Sequence, residues 1–183
     1  MSLVKILLAA TILAVLIGIG IASFKPGLSG VHKAIKTNFA SVEHIDAKSL
    51  LGFEKPQYLI FDVRKREEFS VSHLEGAIHV DPEISKEEFK ALYADKLKGK
   101  TAIFYCSVGW RSSKLADRVK QVLNEAGVIA SYNLTGGIFK WHNEKLPLSG
   151  LNNEPTEAIH PYNNKWSRYI NDKSTIRYEK GSL

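Results

Sequence analysis

The chain has 183 residues, of which 44% are hydrophobic and 24% charged. That composition suits one folded domain with appendages and excludes a disordered chain. The net charge of +6 is uneven: residues 1–40 hold four lysines and no acid, while the remainder is nearly balanced. No arginine-rich stripe crosses the middle of the sequence, so nucleic-acid binding is not expected. A single cysteine excludes an intrachain disulfide and a thiolate metal cluster.

Residues 6–22, ILLAATILAVLIGIGIA, are an uncharged run preceded by Lys5. A spanning helix needs roughly 17–25 residues, and the apolar core of a cleaved signal about 7–15. An N-terminal apolar helix retained as a membrane anchor is the leading expectation for residues 1–24. A cleaved signal peptide ending near Ala22 stays open. A core helix of the folded domain is the plainer alternative, but a helix at the surface of a domain needs a polar face, which this run lacks. Lys25, Lys33 and Lys36 follow the run and favour a cytoplasmic carboxyl side. A signal-like start favours export, and a membrane-anchored or exported protein facing the periplasm is the expectation. Residues 25–40 read as a flexible linker, because Pro26, Gly27 and Gly30 break any continuing helix.

From residue 41 to 148 strands alternate with helices. SVEHI is a short β-run, and Asp46 is placed to cap a helix over AKSLLG. YLIFDV (58–63), GAIHV, TAIFYC and VIASYNL read as strands, and REEF as the start of a short helix. In SKEEFKALYADKL, Phe89, Leu92, Tyr93 and Leu97 fall on one helical face. SSKLADRVKQVLNEAG reads as a single helix with Leu115, Val119, Val122 and Leu123 inward and Gly127 as its stop. GGIFKWHNE opens a last short helix. Apolar strands buried on both faces predict an α/β fold with a mainly parallel central sheet flanked by helices.

Cys106 therefore falls at the carboxyl end of a central strand, and Arg111 at the start of the next helix. Ligands bind outside that edge of an open α/β sheet. A strand–loop–helix turn can aim its amides inward, and the helix N-terminus adds about half a positive charge. A thiol there ionises more readily than a free one. Gly109 permits a tight backbone path. Arg111 supplies a cation and a forked donor for an oxyanion. The pattern points to a nucleophilic thiolate; a buried structural cysteine is the plainer alternative.

Three stretches carry a family resemblance. LIFDVRKREEFSVSHLEGAIHV (59–80) contains Asp62, Val63, Arg64, Glu68, Phe69, His73, Leu74, Gly76 and Ala77 in the pattern of a rhodanese-like domain. CSVGWRS resembles that family's active loop, and LTGGIFKW (134–141) its Leu-x-Gly-Gly-x-x-x-Trp motif. The resemblance is to a single-domain sulfurtransferase over residues 41–148. It implies a double displacement in which Cys106 takes a sulfane sulfur from a small donor such as thiosulfate, holds it as a persulfide, and yields it to a thiol or cyanide. It implies no metal or organic cofactor, and allows a protein acceptor. Ser107, Val108, Gly109, Trp110 and Arg111 are then the substrate-binding loop. Asp62 and Arg64 end a neighbouring strand and are expected to brace that loop or each other.

Two other functions remain in view. One is a membrane-tethered sulfur carrier or protein-binding module of the same fold without fast turnover. The other is a cysteine phosphatase or arsenate reductase, which resemblance makes the poorer fit: that loop needs five residues between Cys and Arg, and here there are four. His73 is expected to be a packed histidine and His142 a surface one. Residues 149–183 form a C-terminal tail whose Tyr162, Trp166 and Tyr169 are expected to pack on the domain.

Overall fold

The computed structural model describes residues 27–179. Helix α1 (Leu28–Asn38) is followed by strand β1 (Glu43–Ile45), α2 (Ala47–Leu51), β2 (Tyr58–Asp62), α3 (Arg66–Val71) and β3 (Ile78–His79). Then come α4 (Lys86–Leu97), β4 (Thr101–Tyr105), α5 (Trp110–Arg118), α6 (Lys120–Glu125), β5 (Ala130–Leu134) and α7 (Gly137–Asn143). Short strands β6 (Leu148–Ser149) and β7 (Pro155–Thr156) pair antiparallel in the tail. The other five strands form one parallel sheet in the order β1-β5-β4-β2-β3.

Side-chain alternation along β4 divides the core in two. Ile103 and Tyr105 face a cluster with Leu134, Ile138, Phe139 and the tail residues Ile159 and Ile170. Ala102 and Phe104 face the opposite cluster with Phe89, Leu97, Leu115 and Val119. Burial on both faces is why these strands read as apolar runs. Asp46 caps α2, its side chain accepting from the Ser49 amide at 2.8 Å.

Four sequence readings are corrected. Leu28–Asn38, within the segment read as a flexible linker, is helical. Gly27 is its N-cap and Gly30 lies in its first turn, where a glycine interrupts little, and Ile35 is fully buried. The single helix read over 112–127 is two, α5 and α6, joined at Val119. Leu92 is exposed, because Phe89, Tyr93 and Leu97 form the i, i+4 ridge and Leu92 lies to one side of it. His142 is buried under the tail, its Nε2 3.2 Å from the Glu157 carbonyl oxygen and 3.1 Å from the Thr175 hydroxyl.

The apolar run 6–22, expected to be an anchor or a signal, lies outside the described residues. Among the described residues, no helix is long and apolar enough to cross a membrane.

Candidate active site

Because the sheet is parallel, the carboxyl ends of β2, β4 and β5 open on one edge. Cys106 follows β4 there and is 1% exposed. The chain then turns sharply into α5. Gly109 caps α5 with φ of 106°, and its amide points at Cys106 Sγ, 3.2 Å away. A Cβ at Gly109 would lie 2.8 Å from Asn133 Nδ2. Glycine is needed both for the backbone angle and for that approach.

The third motif shapes the loop from behind. The amides of Ile138 and Phe139, in the first turn of α7, donate to the carbonyls of Cys106 (2.9 Å) and Ser107 (3.1 Å). Those carbonyls are drawn away from the sulfur, which leaves amides to face it. A side chain on Gly137, which has φ of 57°, would run into the Cys106 carbonyl oxygen. Asn133, at the end of β5, completes the support: its amide donates to the Gly109 carbonyl at 3.2 Å, and its oxygen accepts from the Ser112 hydroxyl at 2.6 Å.

Burial raises the Cys106 pKa, but the charge of Arg111, the hydroxyl and amide of Ser112 and the amide of Val108 outweigh it. The thiol is held below its ordinary value.

Arg111 departs from the sequence reading in one respect. Its fork does not stand open for an oxyanion; it closes on Glu68, with Nη1 to Oε2 at 2.6 Å and Nη2 to Oε1 at 2.9 Å. Ser107 joins them, its hydroxyl donating to Glu68 Oε1 at 3.0 Å and accepting from Arg111 Nη2 at 2.9 Å. Burial would raise the Glu68 pKa, but the Arg111 and Arg64 charges and the Lys65 amide hold it low. Glu68 is the residue at this site that sequence reasoning left without a role. It sits at the third position of α3 and accepts from the Lys65 amide at 3.1 Å, as in a capping box. Lys65 stands where Ser or Thr would have signalled that box.

Asp62 and Arg64 are fully buried beneath the loop. Arg64 bonds Asp62 through Nε (2.9 Å) and Nη2 (2.7 Å), and reaches the Ser72 carbonyl at 2.5 Å. The Tyr105 phenol donates to Asp62 at 2.6 Å and accepts from the Leu74 amide at 3.1 Å. Burial and the Asp62 carboxylate push that phenol well above its usual range. This knot grips the residue just before Cys106 and does not touch the thiol. His73 is packed too, stacked on Phe69 with its Nδ1 3.1 Å from the Phe69 carbonyl oxygen.

Over the loop lies a cleft of about 580 Å³, built from two segments outside the alternating core. Gly30, Val31 and Ala34 of α1 form one side. Tyr162, Lys165 and Trp166 of the tail form the other, with Cys106, Val108 and Trp110 at the base. The Tyr162 ring covers the Arg111 guanidinium at 4.8 Å. Tyr162 holds φ of 66°, which costs an L-residue about 1–2 kcal/mol.

The chain is similar to several solved structures. The BH2092 protein of Bacillus halodurans is 23% identical, over 64% of this chain and 85% of that one, with a TM-score of 0.48. A rhodanese-related protein of Thermoplasma volcanium is 24% identical, over 58% and 96%, with a TM-score of 0.46. Thiosulfate sulfurtransferase of Pseudomonas aeruginosa is 16% identical, over 67% of this chain and 23% of that one, with a TM-score of 0.51. The last likeness is one of fold. The rhodanese-like domain family matches residues 45–144, over half of the chain and all three motifs around Cys106, and the protein belongs to that family.

Proposed function

We propose that the protein is a sulfurtransferase that carries sulfane sulfur on Cys106. The observation that carries this reading is a thiol held below its ordinary pKa although nearly fully buried, with a loop amide 3.2 Å from its sulfur. In the first step the Cys106 thiolate attacks the outer sulfur of thiosulfate. The Sγ–S bond forms, the S–S bond of the donor breaks, and its electron pair leaves with sulfite. Cys106 remains as a persulfide anion, which the loop amides and the N-terminus of α5 stabilise as they do the thiolate. A thiolate or cyanide then attacks the outer persulfide sulfur. It departs as a new persulfide or as thiocyanate, and Cys106 returns as thiolate.

Ser107 to Arg111 line this path. Arg111 acts by charge rather than as an open clamp, since Glu68 occupies its fork. The occupied fork also disfavours phosphoester chemistry, which would need those donors for phosphate. Intact-mass spectrometry after incubation with thiosulfate tests the proposal. A gain of one sulfur, lost on cyanide addition and absent in Cys106→Ser, is expected. No gain with any sulfane donor would overturn it, and a single loading without catalytic turnover would assign a sulfur carrier instead.

A further inference from the structure

We propose that His44 is a positioning residue for the Cys106 loop: its Nδ1 takes the second hydrogen of the Asn133 amide and so fixes how Asn133 holds Gly109 and Ser112. The proposal rests on the sulfur-transfer reading for its effect on turnover, while the state of the thiol reports on it independently.

Strand register brings the pair together. His44 lies opposite Asn133 in the parallel β1–β5 ladder, so the two side chains share one face of the sheet. Asn133 is fully buried, and its partners set its orientation. The Gly109 carbonyl can only accept, so the atom 3.2 Å from it is the amide nitrogen. The Asn133 oxygen then accepts from the Ser112 hydroxyl at 2.6 Å. One amide hydrogen remains, and His44 Nδ1 stands 3.4 Å from that nitrogen. Nδ1 must therefore offer its lone pair, which puts the His44 proton on Nε2.

The surroundings keep the ring in that state. Burial lowers the His44 pKa to about 4, helped by His32 and Lys36 of α1. His32 is lowered in turn by burial, by Lys36 and by Lys140 of α7. The two imidazoles meet edge to face, with ring centroids 4.8 Å apart. Of the acids beside His44 in the chain, Asp46 accepts from the Ser49 amide and Glu43 is exposed. At neutral pH both rings are uncharged. A protonated His44 would turn an N–H toward the hydrogen of the Asn133 amide.

His44 Nε2 is buried without a polar partner among the described residues. A leucine of similar bulk would be buried there without that cost. The polar contact that offsets it is the one at Nδ1. From there the connection to the thiol is short. Asn133 restrains the Gly109 carbonyl, and the Gly109 amide lies 3.2 Å from Cys106 Sγ. Ser112, held by the same Asn133, is among the groups that favour the thiolate. Without the His44 acceptor, Asn133 is free to turn, and both restraints on the loop loosen.

The test compares His44→Leu with His44→Asn in the full chain. Leucine keeps the bulk and removes the acceptor. The asparagine oxygen is bonded to Cγ, as Nδ1 is, and restores one. His44→Leu should raise the pH of half-maximal Cys106 alkylation by about half a pH unit and cut kcat with thiosulfate about three- to tenfold. His44→Phe, which keeps a ring against His32, should repeat the leucine result. His44→Asn should return both readouts close to those of the parent. In an Asn133→Ala background His44→Leu should add nothing, since the two residues act in series. A lower urea midpoint with an unmoved alkylation profile in the leucine and phenylalanine variants makes His44 a packing residue and overturns the proposal. Failure of asparagine to restore the profile overturns it as well. If the parent loads no sulfur from any donor, the sulfur-transfer reading falls, while the alkylation profiles still decide whether His44 positions the loop.

Discussion

At the scale of single residues, Cys106 reflects two opposed effects. Burial disfavours the thiolate, while Arg111, Ser112 and Val108 favour it more strongly. Arg111→Gln removes the largest of the favourable contributions. The pH at which alkylation of Cys106 by iodoacetamide reaches half its maximal rate should therefore rise, and the rate at neutral pH should fall. The same substitution strands the buried Glu68 carboxylate without its cation. Loss of one partner of such a pair costs about 3–5 kcal/mol, readable as a lower urea midpoint. An unmoved alkylation profile would mean that the amides alone set the thiol. Gly137 is a second decisive position. Gly137→Ala imposes a strained backbone angle and pushes against the Cys106 carbonyl, so it should lower the melting temperature and suppress sulfur loading together. A variant that melts lower but loads normally would detach α7 from the shape of the loop.

At the scale of elements, α1 and α7 do work that their sequences announce unequally. α7 follows a Gly-Gly pair and lends its first amides to the loop, a role its motif signals. α1 has no side-chain N-cap and two glycines at its start, and it depends on packing to form. Ile35 is the contact that matters: it is fully buried and sits near Gly109, close enough that a Cβ added there would lie 3.5 Å from its Cδ1. Ile35→Ala should destabilise the protein by about 2–5 kcal/mol in urea denaturation. If α1 were a loose linker the cost would be a few tenths. The break between α5 and α6 at Val119 is of the same kind. Its residues keep helical spacing, but Val119 leaves helical geometry with φ of −96° and ψ of 6°, and α5 lies on β4 and β5 while α6 packs against α4.

At the scale of the molecule, burial of imidazoles gives stability a pH dependence. His32, His44, His73, His142 and His160 all titrate below their ordinary value, with burial as the leading cause. His44 falls to about 4. The unfolded chain takes up these protons near pH 6.5, while the folded protein resists them until lower pH. Stability is thus complete above about pH 6.5 and declines as pH falls toward about 4. Glu68, held low in the folded state, adds to the loss once acid reaches the carboxylate range. The urea midpoint should drop progressively from about pH 7 to about pH 4.5. A flat profile across that window would show the imidazoles to be open to protons in the folded protein.

Local pattern was enough to place Cys106 at a strand end and to mark the loop that follows it. Cys106 at a strand end, Gly109 and the Gly136–Gly137 pair are all readable, because turn geometry and strand burial leave marks on neighbouring residues in the chain. The five-stranded parallel sheet follows from the same marks. Glu68 was not legible as the partner of Arg111, since 43 residues separate them and no local rule links an α3 glutamate to an α5 arginine. His142 read as exposed because the tail that covers it is 15 residues away at Glu157 and further still at Thr175. The cleft was least legible of all. Its walls come from both ends of the described chain, and aromatic residues in a charged tail look alike whether they pack inward or face a guest. Contacts between distant segments are chosen by the total burial they achieve, and that quantity exists only once the chain is folded.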